Sequence, residues 1–364
     1  MTTEQNSSFH KKIVSRCIKE GKNFAISSLS ISIAFQLVRL AANGKTKEEI
    51  IDLFGDVPVI NIPEDFKLQI ANSIWTTKEV SSEYAAEAKE KLNATTHKFN
   101  IGDGSPINQW CAEKTNNLIP QIVDNSLDPD IRAFLVNAIY FLADWLDQFD
   151  KNMTDENGNF YLYNGDLVKT PLMMKLEGSA RYFQDSKTQY LSLPYECEDN
   201  KPGYPKKPAT FTPHMIFALP AEGQSLAEFI SEWNPLESAK RCYSQEYNQI
   251  VIPRFKVEWG MDLSNILAGL GIPTAFSENA EITKILASGE KLKIDSVVHK
   301  AVVKVDEKGT EAAAVTAIGF RCCAAMSEPE PKFNFIANRP FAFAIVEEVS
   351  QTVLFTGVVY DPTK

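Results

Sequence analysis

Between Val302 and Ser327 an alternating strand runs through a glycine into a block of very small side chains. Val303 and Val305 would face one side and Lys304 and Asp306 the other, the two-residue period of a half-buried strand. Gly309 permits a turn, and Thr310-Glu-Ala-Ala-Ala-Val-Thr-Ala follows. At a period of two, Thr310, Ala312, Ala314, Thr316, Ile318 and Phe320 share one face. Glu311, Ala313, Val315, Ala317, Gly319 and Arg321 share the other, so the charges segregate to one side. Alanine and glycine are weak strand formers and weak core fillers. Such a segment can sit exposed as a loop and also enter a sheet, because its side chains clash with nothing on entry. Composition alone would instead write Glu311–Ala317 as an alanine-rich helix.

The rest of the chain must supply a sheet for that segment to enter. The 364 residues are 44% hydrophobic and 23% charged, enough apolar material for a large core. Residues 9–22 read as a helix closed by Gly21, and 27–43 as a mostly apolar helix ending in Gly44. Thr46, with Glu49 three residues on, is expected to cap a third helix. Residues 66–77 alternate as a strand, 81–94 and 107–125 read as helices, and 134–141 is a strongly apolar strand. Beyond Asp150 short β-rich segments dominate, among them 212–219, 249–257 and 341–346, with one late helix at 262–270. Helices early and strands late indicate an α+β architecture. No internal repeat or Pro/Gly/Ser-rich linker interrupts residues 1–364, so a single domain is expected.

Charge and motifs narrow the function. A net charge of −10 with no Lys/Arg run longer than two argues against nucleic acid or an anionic membrane as partner. No apolar run reaches bilayer-spanning length, and the polar start has no signal-peptide core, so a cytoplasmic location is expected, with unconventional release left open. The six cysteines are scattered except for Cys322 and Cys323 and show no zinc spacing, which reads as free thiols in a reducing compartment. His10, His97, His214 and His299 fit no metal pattern. There is no Gly-x-Ser-x-Gly elbow, no His-Glu-x-x-His and no phosphate-cradling glycine loop, so neither catalytic residues nor a cofactor are expected.

Several segments, in order along about 340 residues, resemble the serpin family. Glu307-Lys-Gly-Thr-Glu-Ala-Ala-Ala-Val-Thr-Ala317 is similar to the hinge of inhibitory serpins. Phe335-Ile-Ala-Asn-Arg-Pro-Phe-Ala-Phe343 resembles the strand signature that follows the bait loop. Asn23–Ile31, Leu135–Phe141, Leu193-Pro-Tyr195, Ile252-Pro-Arg-Phe255 and Val298-His-Lys300 match as well. The resemblance implies a serpin fold: three β-sheets, surrounding helices and an exposed reactive-centre loop at about residues 307–331. It implies an irreversible suicide-substrate inhibitor of serine endopeptidases, and of papain-like cysteine proteases as a further class. The loop would be cut, trap the acyl-enzyme and insert into the main sheet. The partner would be the target endopeptidase in a covalent complex, with the inhibitor itself a monomer.

The same resemblance assigns roles. Gly309, Thr310, Glu311, Ala312, Ala313 and Ala314 form the hinge. Ser27, Ser30, Asn137 and His299 form a polar cluster controlling sheet opening, with Trp145 where the loop enters. A count forward from Gly309 places the cut between Cys323 and Ala324. A count back from Asn338 places it between Met326 and Ser327, and Phe320 and Arg321 each suit common protease pockets. The forward count is preferred, because insertion length constrains that side. Val315 is bulkier than the family's usual residue and is expected to slow insertion mildly. Ser28 stands where the family has proline, which would loosen the start of that helix. Residues 53–68 are short enough to have lost the surface helix with which relatives bind glycosaminoglycans, so heparin is not expected as an activator. The rival reading is a serpin fold used without inhibition, for storage, chaperone or carrier work; the small-residue hinge argues against it.

Overall fold

The computed structural model describes residues 3–55, 63, 67–197, 209–309 and 331–364. Its helices are α1 (Thr3–Cys17), α2 (Ser28–Ala41), α3 (Gly44–Phe54), α4 (Ser82–Leu92), α5 (Ser105–Lys114), α6 (Leu226–Glu232), α7 (Pro235–Arg241) and α8 (Ser264–Leu270). The strands are β1 (Phe24–Ile26), β2 (Lys67–Thr76), β3 (Thr95–Lys98), β4 (Ala133–Leu142), β5 (Asp155–Tyr161), β6 (Leu167–Gln184) and β7 (Thr188–Pro194). They continue as β8 (Pro213–Pro220), β9 (Tyr243–Pro253), β10 (Phe255–Asp262), β11 (Ser296–Val305), β12 (Phe333–Ile336), β13 (Phe341–Glu347) and β14 (Thr352–Val359). Helices before strands is the expected α+β order.

Among the described residues, hydrogen bonding joins the strands into two sheets. The five-stranded one runs β10-β11-β4-β2-β3, and the nine-stranded one runs β1-β14-β13-β8-β7-β6-β9-β12 with β5 on β6. Three sheets were expected, and the third is present as a continuation. The 18-residue β6 passes through a left-handed residue at Glu177, whose φ is +49°. On one side of that residue it pairs with β5 and on the other with β7, while β9 follows it across. The β6–β9 ladder keeps one register past it, from Leu172 beside Pro253 to Tyr182 beside Tyr243.

Helix α2 explains how the layers hold together. Ten of its 14 residues are buried, so it lies inside the molecule, with neighbours in β2, β4 and β14. Ser27 caps it, its side chain accepting from the Ser30 N–H. Phe35 stacks on Phe54 of α3 at 4.8 Å, and Tyr84 of α4 donates its hydroxyl to the Leu37 carbonyl. The chain's two ends meet in the nine-stranded sheet. β1 pairs with β14, β13 lies between β14 and β8, and the Asn23 side chain binds the backbone of Tyr360 and Asp361.

Four local expectations are corrected. Helix α1 starts earlier and stops at Cys17, leaving Gly21 in the following turn at φ +74°. Helix α3 begins at Gly44 behind Asn43, not behind Thr46. Thr46 is buried and accepts the Glu281 N–H, and Glu49 binds Thr274, so both residues serve a distant segment instead of their own helix end. Helix α5 ends at Lys114 rather than 125, because Asn116 and Asn117 adopt left-handed φ and Pro120 cannot donate. The single strand expected over 249–257 is two, β9 and β10, with Arg254 at the passage from one sheet to the other.

Candidate functional site

The site is a seam. Strands β4 and β11 pair directly and in parallel, from Ser296 beside Phe134 to Val303 beside Phe141, with no strand between them. Both outer neighbours, β2 and β10, are antiparallel to them. A parallel ladder is the weaker pairing per residue. A chain leaving the end of β11 and turning back would run antiparallel to both β11 and β4. The geometry can therefore accept one more strand, replacing a parallel contact with two antiparallel ones.

At the upper end of the seam the chain turns through 306–309. Asp306 N–H donates to the Gly309 carbonyl at 2.8 Å, while Trp145 and Phe149 N–H groups bind the Lys308 and Glu307 carbonyls at 2.7 Å each. Gly309 has φ +142°, and a Cβ there would lie 2.1 Å from the Ala143 carbonyl oxygen. Only glycine fits. Trp145 is buried, lies flat on Tyr195 at 4.4 Å, and donates its indole N–H to the Asp306 carbonyl at 3.0 Å. Sequence placed Trp145 here, and it does touch the turn. Gly309 is the last described residue before the loop; Thr310 to Ala314, Phe320, Arg321, Cys323, Ala324, Met326 and Ser327 lie outside the described residues.

Sequence reading missed the ion cluster beneath this turn. Glu307 is 2% exposed and receives Arg254 at 2.5 Å and the Thr154 hydroxyl at 2.8 Å. Arg254 also reaches Glu156 at 3.1 Å. Burial pushes the Glu307 carboxyl up, but the hydrogen bonds from Arg254 and Thr154 outweigh it and hold the pKa below the ordinary value. Glu307→Gln should lower the unfolding midpoint, because it removes one partner of a buried pair and leaves Arg254 half-compensated. An unchanged urea midpoint would show that the cluster adds nothing.

Midway along the seam a polar row crosses three strands. Asn72, Asn137 and His299 stand in register on β2, β4 and β11. The Asn137 amide donates to Asn72 Oδ1 and Ser30 Oγ at 2.6 Å each, and its Oδ1 accepts from His299 Nδ1. The Ser27 N–H donates to His299 Nε2 at 3.5 Å, which fixes the neutral tautomer. Ser27, Ser30, Asn137 and His299 are thus brought together. Asn72 was missed; its signal was a lone amide at an inward position of a strand. The His299–Asn137 bond spans the two strands that any inserted chain must part.

Three buried histidines behave alike. Desolvation lowers His299 and His214 to about 3, and desolvation with the neighbouring Lys11 charge lowers His10 to about 4, from 6.5. The unfolded chain takes up these protons near pH 6.5 and the folded one does not. Stability is therefore full above pH 6.5 and declines as the pH falls toward the folded values. Between pH 6.5 and 5 the loss should be about 1.4 kcal/mol per pH unit for each histidine. Urea midpoints measured across that window test this, and a flat profile contradicts it. His10 also bears on Ser28: its Nδ1 lies 3.0 Å from the Ser28 hydroxyl and its Nε2 3.2 Å from that of Thr356. The position expected to loosen α2 is thus tied to α1 and, through His10, to β14.

Cys17, Cys111 and Cys242 are free and buried, and burial pushes their thiols up to about 12. They are inert toward exchange. Cys322 and Cys323 lie outside the described residues, as does most of 53–68, where a surface helix was expected to be lost. No helix among the described residues is long and apolar enough to cross a membrane.

A nine-stranded and a five-stranded sheet buttressed by helices, with a central parallel pair ending at a glycine turn, define the class of fold. A family model described as Serpin (serine protease inhibitor) matches residues 4–362. Serpin-Z2A of Oryza sativa subsp. japonica is 30% identical, covering 97% of this chain and 95% of its own length. Among solved structures, thyroxine-binding globulin in complex with thyroxine gives a TM-score of 0.82 at 22% identity over 100% of this chain and 99% of its own. Arabidopsis AtSerpin1 in its native stressed conformation gives 0.80 at 23% identity over 100% and 97%. The chain belongs to the serpin family, at the family level one of protease inhibitors.

Proposed function

We propose that this protein inhibits endopeptidases as a suicide substrate, presenting residues 307–331 as bait and trapping the acyl-enzyme by inserting the cut loop between β4 and β11. The observation that carries the reading is the directly paired parallel seam opening at Gly309. The inhibitor then starts in a state with a better-paired alternative, and its persistence is kinetic. An inserted strand alongside Ser296–Val303 needs at least the eight residues of that register, and Thr310 to Cys323 supplies them. Every candidate cut leaves that much chain, and it is the count forward from Gly309 that favours cleavage between Cys323 and Ala324. The chain would act as a cytoplasmic monomer, on serine proteases and on papain-like cysteine proteases, without heparin.

Incubation with a panel of both protease classes should give an SDS-stable complex with at least one of them. Mass spectrometry of the released peptide should begin at Ala324; a peptide beginning at Ser327 would overturn the count from the hinge. Cleavage into two fragments with no complex, by every protease that cuts, would reject inhibition in favour of a storage, chaperone or carrier role.

A further inference from the structure

Away from the seam, the β5–β6 hairpin, the 220–226 turn and the 338–340 turn enclose a cavity of about 690 Å³ that the inhibitory reading does not use. Tyr161, Tyr163, Pro220, Gln224, Leu226 and Arg339 contribute to its walls. The hairpin is fixed to the opposite wall, since the Tyr161 N–H donates to the Asn338 carbonyl at 2.8 Å. Tyr163 rests edge-on against Tyr360 at 5.7 Å. The two tyrosines nevertheless stay open, 48% and 58% exposed. Both turns at the rim are set by glycines, Gly165 at φ +87° and Gly223 at φ +83°.

We propose that this cavity is a binding site for a small monocarboxylate carrying a planar aromatic body, with Arg339 as its carboxylate partner. Arg339 is partly buried, and among the described residues its hydrogen bond goes from Nη1 to the Pro220 carbonyl at 2.5 Å. That bond anchors the guanidinium and leaves Nε and Nη2, a planar fork suited to a carboxylate. Burial lowers the Arg339 pKa while Glu222 raises it, so a carboxylate of this chain lies close enough to matter. Glu222 offsets part of the positive charge and disfavours dianions such as phosphate, which selects a single negative charge. The open tyrosine rings offer surfaces for stacking a flat ligand. The volume falls within the roughly 300–1,000 Å³ of small-molecule sites.

The full chain is titrated with pyrenecarboxylate, followed by its fluorescence, and in parallel with the neutral pyrenecarboxamide. The acid should bind at least about tenfold more tightly than the amide, since one charge-assisted fork is lost. Arg339→Met should weaken the acid by a similar factor and leave the amide unchanged, while Glu222→Gln should tighten the acid. Excess inorganic phosphate should not displace it. Equal binding of acid and amide overturns the proposal, as does displacement by phosphate. If Arg339→Met does not fold, the amide comparison and Glu222→Gln decide the matter, and weaker or unchanged binding of the acid to Glu222→Gln counts against it. None of these readouts depends on protease inhibition, so either proposal can fail alone.

Discussion

Thr310→Arg is expected to turn the protein from inhibitor into substrate. Mixed with a protease that the unaltered chain traps, the variant should be cut at the same bond, release active enzyme and leave no SDS-stable complex. The reason lies at the top of the seam. Gly309 is wedged against the Ala143 carbonyl and the backbone of Asp144 and Trp145, so the next residue would be the first to part β4 from β11. By the register of the Asp306–Gly309 turn and the Asp144–Gly309 bridge it would enter between Ala143, half-buried, and Val305, buried. An unpaired guanidinium taken into such surroundings costs several kcal/mol. A barrier raised by about 3 kcal/mol slows insertion roughly a hundredfold. Hydrolysis of the acyl-enzyme then wins the race. Thr310→Ser, which adds no charge, should retain inhibition. Full inhibition by the arginine variant would contradict insertion as the mechanism.

Asn137→Ala should be the most damaging single change in the polar row. It removes the donor to Asn72 and Ser30 and the acceptor for His299, leaving buried polar groups on three elements without their partner. At about 1–3 kcal/mol for each orphaned group the loss is of order 4 kcal/mol. With an unfolding entropy near 2.1 cal/mol/K per residue, that corresponds to a melting temperature lower by about 5 °C. His299→Leu combined with it should cost less than the sum of the two single changes, because they share a partner. Additive effects, or a melting temperature within about 1 °C of the original, would show that the row is not a cooperative unit.

Much of this arrangement was legible beforehand. The alternation of 66–77 and the apolar run 134–141 pointed to strands, and β2 and β4 are there; the small-residue block after Gly309, read as an entering loop, lies outside the described residues. The ordered resemblance then placed Ser27, Ser30, Asn137, Trp145 and His299, and the fold gathers the polar four at the middle of the seam and Trp145 at its end. What escaped was everything set by pairing between distant segments. Asn72 looks like any strand amide until register puts it beside Asn137, 65 residues away. Glu307, Arg254 and Thr154 form one cluster only because β9 hands over to β10 just below the 306–309 turn. Thr46 and Glu49 carry a capping pattern yet are claimed by the 274–281 segment, a tertiary use that outweighs local preference. The sheet count differed for a similar reason, since it depends on β9 pairing with β6 along its whole length past the left-handed Glu177, which only the backbone shows.

The meeting of the two ends in one sheet also sets a timetable for biosynthesis. β1 leaves the ribosome long before its hydrogen-bonding partner β14, since Phe24 pairs with Val358. β13, which separates β14 from β8, emerges just before it. At roughly 5–20 residues per second, β1 waits on the order of half a minute with an open edge before its neighbour exists. β14 must be synthesised before that sheet can close, so β1 carries an unpaired edge while the strands between them are made.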